Sequence, residues 1–464
     1  MPFASLGGST APVTARSAET AGATGLRRSI GLVQATALVV GIIIGASIFV
    51  QPSEIVRDVP TIAGIFVVWT AAGVLTLAGA LICAELSSAF PETGGVYVFL
   101  RRTVAPLIAF LWGWAMFWSM HSGIIAAIAM VFGRYVTFFV PGGDIAIRAF
   151  AIAAILAVSA VNYVGVQHGG RLQAMFTIGK VAAIALMMAV AFTLGPRPDA
   201  ATPALAGDGQ PLSDGASLTA YVRAIAAGLF AFGGWHMVTY MAGETKDAER
   251  TIPRSLVIGI VIVVACYIAL NAAYLHVLPL AVVIGSTRVA ADASDAVLGG
   301  GGAAFVSALV AFSCFGAIAG LVLAGPRVYH SMAADGLIFR WLGVPHARYQ
   351  TPHRAIALQA VWSCVLVATG SYRALFTRVV YTEWLFFALM AVGLMLVRRR
   401  PDYQPTWRMP GYPLVPALFI AGALTVVINQ VIDQPGESAM GLGMVLLGIP
   451  VYYLWARPNR RPLR

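Results

Sequence analysis

The segment Gly41-Ile-Ile-Ile-Gly45-Ala-Ser-Ile-Phe49 lies inside an apolar stretch that is long enough to cross a membrane, with small residues near its middle. A second such segment, Gly228-Leu-Phe-Ala-Phe-Gly-Gly-Trp235, lies in the sixth apolar stretch of the chain. Glycine in a helix interior costs about 1 kcal/mol relative to alanine. Small residues also serve close packing between membrane helices, so either segment alone fits a helix break or a packing site.

The composition around these segments excludes a soluble globular protein. Apolar residues make up 59% of the 464 positions and charged residues 11%, and the mean hydropathy is +0.82. In an ordinary soluble domain about a quarter of the residues are charged. Membrane lipid is therefore expected to surround most of the chain.

Twelve apolar stretches reach the length of about 20 residues that a membrane helix needs. The chain is therefore predicted to be an all-α membrane protein with twelve transmembrane helices. The predicted spans are 30–54, 61–88, 104–134, 146–166, 171–195, 218–243, 255–278, 303–330, 355–371, 378–397, 412–432 and 438–456.

Lysine and arginine residues gather on one side of the predicted membrane, the side that holds the N-terminus. Because cytoplasmic segments carry an excess of these residues, both termini are predicted to be cytoplasmic. Residues 1–27 are expected to form a disordered tail, and 457–464 a basic tail. The net charge of +11 follows from this asymmetry and requires no nucleic-acid partner.

The two small-residue segments lie five spans apart, so they cross the membrane in opposite directions. Two inverted five-helix repeats, each opened by a broken helix, produce this arrangement. Unwound backbone at membrane depth is tolerated where it lines a cavity. There, free N–H groups at the start of a half-helix bind a carboxylate, and free carbonyl groups receive an ammonium. The pair of breaks therefore suits a zwitterion.

The chain resembles the amino acid–polyamine–organocation (APC) superfamily, and within it the L-type amino acid transporter-like branch. The resemblance covers nearly all of 28–456 and implies a LeuT-like five-plus-five inverted repeat with discontinuous helices 1 and 6. It implies helices 1–5 in 28–195, helices 6–10 in 218–397 and helices 11 and 12 in 408–456. The segments that carry it are Gly41–Phe49, Ala84–Tyr97, Phe230–Trp235, Gly243–Lys246, Ile252–Arg254, Arg327–Gly336, Arg398–Pro401 and Pro410–Pro413.

The resemblance also implies where a substrate binds. The break in the first span looks like the family's carboxylate loop, and the break in the sixth looks like its amine-binding segment. Ser47 departs from the common pattern Gly-Ser-Gly-Ile-Phe, and its side chain reduces the room near the α-carbon of a substrate. The implied substrate-binding residues are Ile43, Gly45, Ala46, Ser47, Phe230, Ala231, Phe232 and Gly233.

Three residues are implied to form the gate. Phe230 occupies the position of the family's aromatic gate, and Glu383 and Trp384 lie in helix 10, which flanks the substrate in the family. For Trp384, packing in the core or at the membrane interface stays an alternative interpretation. A cationic substrate would need an acidic residue in its pocket, and Glu383 is the one obvious candidate. Neutral L-amino acids are therefore expected first. A cationic amino acid or a polyamine is the alternative.

Lys180 lies nine residues beyond the start of the fifth span, which places it about 13 Å deep and close to the bilayer midplane. Burying a lysine there costs about 3 kcal/mol on insertion scales, so it needs a partner or a role. The resemblance implies that its ammonium replaces the sodium ion of sodium-coupled relatives, reaching the helix 1 break and helix 8 near Ser313 and Cys314. A structural tether held by backbone carbonyls is the alternative.

These features predict a secondary active transporter of the inner membrane that works without sodium, by proton symport or by exchange. An intramembrane enzyme would need ionisable residues clustered at one depth, and a channel would need a filter loop or charged rings; neither pattern occurs. No cofactor or metal site is predicted, because the four cysteines lie in apolar stretches rather than in loops. Eukaryotic L-type members of the family join a single-span partner through a cysteine in the loop after helix 3. Residues 140–146 contain no cysteine, so the resemblance implies no disulfide-linked partner subunit.

Overall fold

The computed structural model shows an all-helical protein. Within the described residues there is no β-strand, and a lone bridge joins Ile30 to Thr245. The predicted tails at 1–27 and 457–464 lie outside the described residues except for Leu26. The structure describes residues 26, 28–49, 51–195, 216–286, 288–370 and 372–456, with the backbone alone for 372–380, 455 and 456.

The helical and apolar character of the described residues confirms the prediction of an all-α membrane protein. Among the described residues, 9 helical segments are long and apolar enough to cross a membrane. Lipid offers no hydrogen bonds, so a spanning segment must satisfy its backbone internally, as an α-helix does. The number twelve stays a prediction. Three shorter apolar helices coincide with the predicted first, ninth and tenth spans: Leu32–Ile43, His353–Thr369 and Tyr381–Val397.

The part of the chain before residue 196 begins with an interrupted helix. The third predicted span contains a turn of π-helix at Met116–Met120. Pro106 begins one helix at a position where its missing N–H is not needed. The α-helices in chain order are α1 (Leu32–Ile43), α2 (Gln51–Asp58), α3 (Ile62–Ala89), α4 (Val96–Thr103), α5 (Pro106–Ala115), α6 (His121–Val136), α7 (Asp144–Val164) and α8 (Val166–Leu194).

The part after residue 215 also begins with an interrupted helix. Its first α-helix is capped by the Ser217 hydroxyl, which accepts a hydrogen bond from Ala220 N at 3.2 Å. The α-helices are α9 (Leu218–Ala231), α10 (Ala248–Val277), α11 (Leu280–Gly285), α12 (Val289–Leu298), α13 (Gly302–Ala324), α14 (Pro326–Ala334), α15 (His353–Thr369), α16 (Tyr372–Val397), α17 (Leu414–Asp433), α18 (Pro435–Leu446) and α19 (Gly448–Val451).

The interrupted helices lie inside the bundle. α10 packs along α3 and α1, while α13 packs against α6 and α8. The large side chains of Trp69, Trp112 and Trp235 are fully buried within the bundle. The core therefore surrounds the two interruptions, which are the places where backbone groups need partners from other helices.

Candidate functional site

The first interruption begins where α1 ends at Ile43. The backbone bends through 44–46, forms a short 3-10 turn at Ser47–Phe49, and becomes α-helical again at Gln51. The end of a helix leaves carbonyl groups without intrahelical donors. In the described part of the chain, the backbone N–H groups of Ala46 and Ser47 donate to no acceptor. The break thus exposes donors of the kind that bind anions.

The second interruption begins where α9 ends at Ala231. After one turn the chain passes through Gly234, whose φ of +90° lies in the left-handed region that glycine tolerates, and continues as a 3-10 helix from Trp235 to Glu244. A Cβ at Gly234 would collide with Cγ2 of Ile42 on α1. Glycine therefore allows the two breaks to touch.

Tyr267 of α10 joins the ends of both broken helices. Its hydroxyl lies 3.0 Å from the carbonyl oxygen of Ile43 and 3.0 Å from that of Ala231. A phenol carries one hydrogen, so the two carbonyls share this donor. The ring is buried, with centroid distances of 5.4 Å to Trp69 and 5.0 Å to Phe232. One side chain thus links the two interruptions.

Lys180 of α8 occupies the other side of the first interruption. Its ammonium nitrogen donates to the carbonyl oxygens of Gly41 at 2.9 Å, Ile44 at 2.7 Å and Ser313 at 3.0 Å. An ammonium has three hydrogens, and each finds one acceptor. Lys180 is fully buried. It lies at the first break and beside Ser313, and its contacts fit both a cation substitute and a structural tether.

Gly41 permits the close approach of α1 and α8. A Cβ at this position would collide with the Thr177 hydroxyl and the Gln173 amide nitrogen. The Thr177 hydroxyl donates to the carbonyl oxygen of Ala37 at 2.8 Å, which ties the same two helices together. The short separation is what brings Lys180 within hydrogen-bonding distance of the break.

Two adjoining cavities, of about 210 Å³ and about 570 Å³, lie beside the interruptions, and we call them together the central cavity. The smaller one is lined by the first break and by α6. The Phe230 side chain, 39% exposed, lines both cavities, as do Gln51 and Gly233. The larger cavity reaches Asn429 and Gln430, near the last turn of α17.

The structure brings most of the predicted site residues to the central cavity. Ala231 and Phe232 are the exceptions, because the Ala231 carbonyl bonds to Tyr267 and the Phe232 ring packs against Trp69. Lys180 and Ser313 lie behind the first break and do not line the cavity. The predicted residues that line it are Ile43, Gly45, Ala46, Ser47, Phe230, Gly233, Glu383 and Trp384.

Sequence reasoning missed Tyr267 and Gln51. Tyr267 is a residue with a polar tip inside a long apolar helix, which is a signal that it needs a hydrogen-bond partner. The sequence does not say which partner, because Ile43 and Ala231 lie on distant helices. Gln51 lies just beyond the first interruption and lines both cavities.

The end of the bundle opposite Asn429 and Gln430 is closed by ion pairs, and we call it the closed end. Arg327 Nε and Nη2 donate to the two carboxylate oxygens of Glu244 at 3.0 Å and 2.9 Å, and the two side chains are 0% and 1% exposed. The Glu244 carbonyl accepts the N–H groups of Ser29 and Ile30. The 3-10 helix that follows the second interruption is thereby fixed to α14 and to the start of the described chain.

A second contact at the closed end joins α4 to the residue after α14. The Tyr97 hydroxyl donates to Asp335 Oδ2 at 2.5 Å, and Arg101 forms an ion pair with the same carboxylate. Burial, and then the Asp335 charge, raise the pKa of the Tyr97 hydroxyl well above its usual value. The phenol therefore keeps its proton and remains a donor.

Comparisons of the sequence with known proteins identify the family of this chain. A sequence model of the family described as amino acid permease matches residues 30–454. The human cystine/glutamate transporter is 28% identical over 447 residues, which make up 94% of this chain and 87% of that protein. The serine/threonine exchanger SteT of Bacillus subtilis is 29% identical over 433 residues, or 92% and 97% of the two chains. The human b(0,+)-type amino acid transporter 1 is 28% identical over 453 residues, or 95% and 92%.

The family match runs from the start of the first interrupted helix through the last helices, and thus includes the central cavity and Lys180. The relatives are transporters or exchangers, and the family is not enzymatic. The chain therefore belongs to the amino acid permease family of the APC superfamily, and it is a membrane-spanning amino acid transporter rather than an enzyme.

Proposed function

We propose that this protein is a secondary active transporter that moves neutral L-amino acids across the cytoplasmic membrane without sodium, by proton symport or by exchange. The observation that carries the proposal is the central cavity between two interrupted helices. On one side lie the free N–H groups of Ala46 and Ser47, and on the other side lies Phe230 at the second interruption.

The two interruptions suit the two charges of an amino acid. Free N–H groups at the start of a short helix attract a carboxylate, so the substrate carboxylate binds at Ala46 and Ser47, beside Gly45. The substrate ammonium binds toward the backbone of the second interruption at Phe230 and Gly233. The substrate side chain then extends into the larger cavity, and the Phe230 ring covers the bound molecule as a gate together with Trp384 and Glu383.

Sodium independence is supported by the contacts of Lys180. A sodium ion between α1 and α13 would need oxygen ligands, and the available ones are carbonyl groups together with the Ser313 hydroxyl. The Lys180 ammonium already uses the carbonyl oxygens of Gly41, Ile44 and Ser313. A fixed charge thus takes the place where a cation would bind, and the coupling residues are Lys180 and Ser313.

The proposed architecture has twelve spans in two inverted repeats, 28–195 and 218–397, followed by two helices in 408–456. The nine long helical segments and three shorter apolar helices of the described residues support it. Both termini are proposed to be cytoplasmic, with the closed end on that side, in an inner membrane. No disulfide-linked partner is proposed, because the four cysteines lie within helices: Cys83 in α3, Cys266 in α10, Cys314 in α13 and Cys364 in α15.

A cationic substrate is the second candidate, and one observation favours it. The Glu383 carboxyl lines the central cavity and is 19% exposed. A carboxylate in that position would pair with a guanidinium or an ammonium group at the end of a long substrate side chain. It would also pair with an ammonium group of a polyamine.

The experiment is uptake of labelled amino acid into proteoliposomes that contain the purified protein, with a competition panel of the twenty amino acids. The panel is run with sodium and with choline in its place. We expect neutral amino acids to compete and sodium to make no difference. Sodium-dependent uptake would contradict the proposed coupling, and competition by arginine, lysine or a polyamine alone would favour the second candidate.

A further inference from the structure

Three ionisable side chains form a row that leads from the central cavity toward the closed end. Glu383 of α16 lines the cavity. His236 Nε2 lies 3.7 Å from Glu383 Oε1 and 2.9 Å from the Tyr240 hydroxyl. The Tyr240 carbonyl in turn accepts the N–H of Gly94 at 3.2 Å, next to α4.

The middle of the row is shielded from water. His236 is 0% exposed, and its ring is enclosed by Trp112, Trp235 and Phe387, with centroid distances of 5.8 Å, 5.4 Å and 4.8 Å. In a low-dielectric environment the interaction between an imidazole and a carboxylate is stronger than in water. A proton taken up by one of the two groups therefore changes the electrostatic environment of the other, which lies 3.7 Å away.

The pair has unused hydrogen-bonding capacity, in contrast to Lys180. All three hydrogens of the Lys180 ammonium are donated to carbonyl oxygens. Among the described residues, His236 Nδ1 has no partner, and His236 Nε2 lies 3.7 Å from the Glu383 carboxyl, beyond hydrogen-bonding distance. Such a pair can take up a proton without breaking an existing contact, whereas loss of a proton from Lys180 would take one donor away from its three carbonyl acceptors.

The row is mechanically connected to the closed end. His236, Tyr240 and Glu244 recur every four residues along the segment that follows the second interruption. Glu244 is the residue that binds Arg327. A change in charge at His236 therefore acts on the same short segment that holds the closed end together.

We propose that Glu383 and His236 form the proton-binding site of the transporter. This inference rests on the proposed transport function and names the site of proton coupling within it. The Glu383 carboxylate takes one proton from cavity water, holds it beside His236 Nε2 at 3.7 Å, and returns it to water on the opposite side after the closed end opens. No bond other than the O–H or N–H bond of that proton forms or breaks.

The physical reason for coupling is the cost of an ionised carboxylate in an apolar space. While Glu383 is ionised, closing the cavity would strip water from an uncompensated charge. Protonation removes that charge, so the loaded cavity closes. The titratable and charged groups that face the pair are His121 of α6, Tyr240 of its own segment and, in the cavity, Tyr381 of α16 and Arg134 of α6. Cys83 of α3 and Tyr329 of α14 face Tyr240.

The test uses proteoliposomes with the full-length protein and two separate measurements. The first is exchange of labelled for unlabelled amino acid without a pH gradient, which reports substrate binding and the conformational cycle. The second is accumulation driven by an inward proton gradient, together with alkalinisation of the medium. The variants are Glu383→Gln and His236→Gln, with Glu54→Gln at an exposed side chain of α2 and His276→Gln on α10 as controls.

In both site variants we expect proton-driven accumulation and alkalinisation to fall by at least about tenfold relative to the exchange that each variant retains, while both controls behave as the original protein. The response of uptake to pH between about 5 and 8 should flatten in the same two variants. Melting temperatures in detergent show that the variants are folded.

Three outcomes would overturn the proton site. The first is Glu383→Gln with undiminished accumulation and proton uptake. The second is an original protein that exchanges substrate but never responds to a proton gradient, which leaves the transport proposal intact. The third is loss of exchange in both folded site variants, which assigns the pair to substrate binding. Failure of the original protein to exchange any amino acid would instead contradict the proposed function itself.

Discussion

The ammonium nitrogen of Lys180 lies 2.7 Å from the carbonyl oxygen of Ile44, the first residue after the helical part of α1. In an uninterrupted helix this carbonyl would accept an N–H from one turn later in the chain. Here the Lys180 ammonium from α8 and the Ser313 hydroxyl from α13 supply donors instead. The interruption of α1 is therefore stabilised by two other helices, and the first prediction follows from the contact with Lys180.

Lys180→Ala should remove most transport activity. The substitution removes the ammonium donor from the carbonyl oxygens of Gly41, Ile44 and Ser313, of which Ile44 keeps the Ser313 hydroxyl at 3.0 Å. A buried carbonyl that is left without any donor costs about 1–3 kcal/mol. The matched control is Lys246→Ala, which changes an exposed lysine. Uptake into proteoliposomes and the melting temperature in detergent are the measurements. Normal uptake with an unchanged pH response would remove Lys180 from the mechanism.

Tyr267→Phe should weaken the link between the two interruptions while it preserves the shape of the core. The ring keeps its contacts with Trp69 and Phe232, but the donor to the carbonyl oxygens of Ile43 and Ala231 is lost, at a cost of about 1–3 kcal/mol. We expect a lower melting temperature and a higher KM for uptake.

Tyr274→Phe is the matched control for this change. Tyr274 lies two turns farther along α10, is buried, and in the described part of the chain its hydroxyl has no hydrogen-bond partner. Its replacement should therefore leave stability and KM nearly unchanged. Equal effects from the two substitutions would mean that the link through Tyr267 does not matter.

Gly41→Ala should separate α1 from α8. The added methyl group collides with the Thr177 hydroxyl and the Gln173 amide, so Lys180 moves away from its acceptors. Overpacking of this kind costs about 1–3 kcal/mol. Gly170→Ala on α8 is the control, because a Cβ there meets no atom within 4 Å. Thermal unfolding and uptake are measured for both, and similar values for the two variants would contradict the prediction.

Arg327→Gln should destabilise the closed end strongly. It leaves the buried Glu244 carboxylate unpaired, and breaking a buried ion pair by removing one partner costs about 3–5 kcal/mol. Arg57→Gln removes one partner of the exposed pair with Glu54, and it should cost about 0–1 kcal/mol. The comparison is made by thermal unfolding in detergent. A loss for Arg327→Gln no larger than that for Arg57→Gln would contradict the closed arrangement.

The sequence predicts local features of the chain well. Long apolar stretches require helices in lipid, and the small residues between Gly41 and Ser47 and around Gly233 indicate where a helix stops, because these properties depend on neighbours in the chain. The depth of Lys180 follows from counting residues along one helix. Its neighbours at the first break and at Ser313 came from the family resemblance, not from the residues alone.

The sequence by itself determined the class of protein, the positions of the two interruptions, and a buried lysine that needs partners. Tertiary structure alone decided that Tyr267 joins the two interruptions, that Phe232 turns away from the cavity while Phe230 faces it, and that His236 meets Glu383. These relationships depend on the rotation and separation of helices that are far apart in the chain. Those quantities follow from how side chains pack together across the bundle.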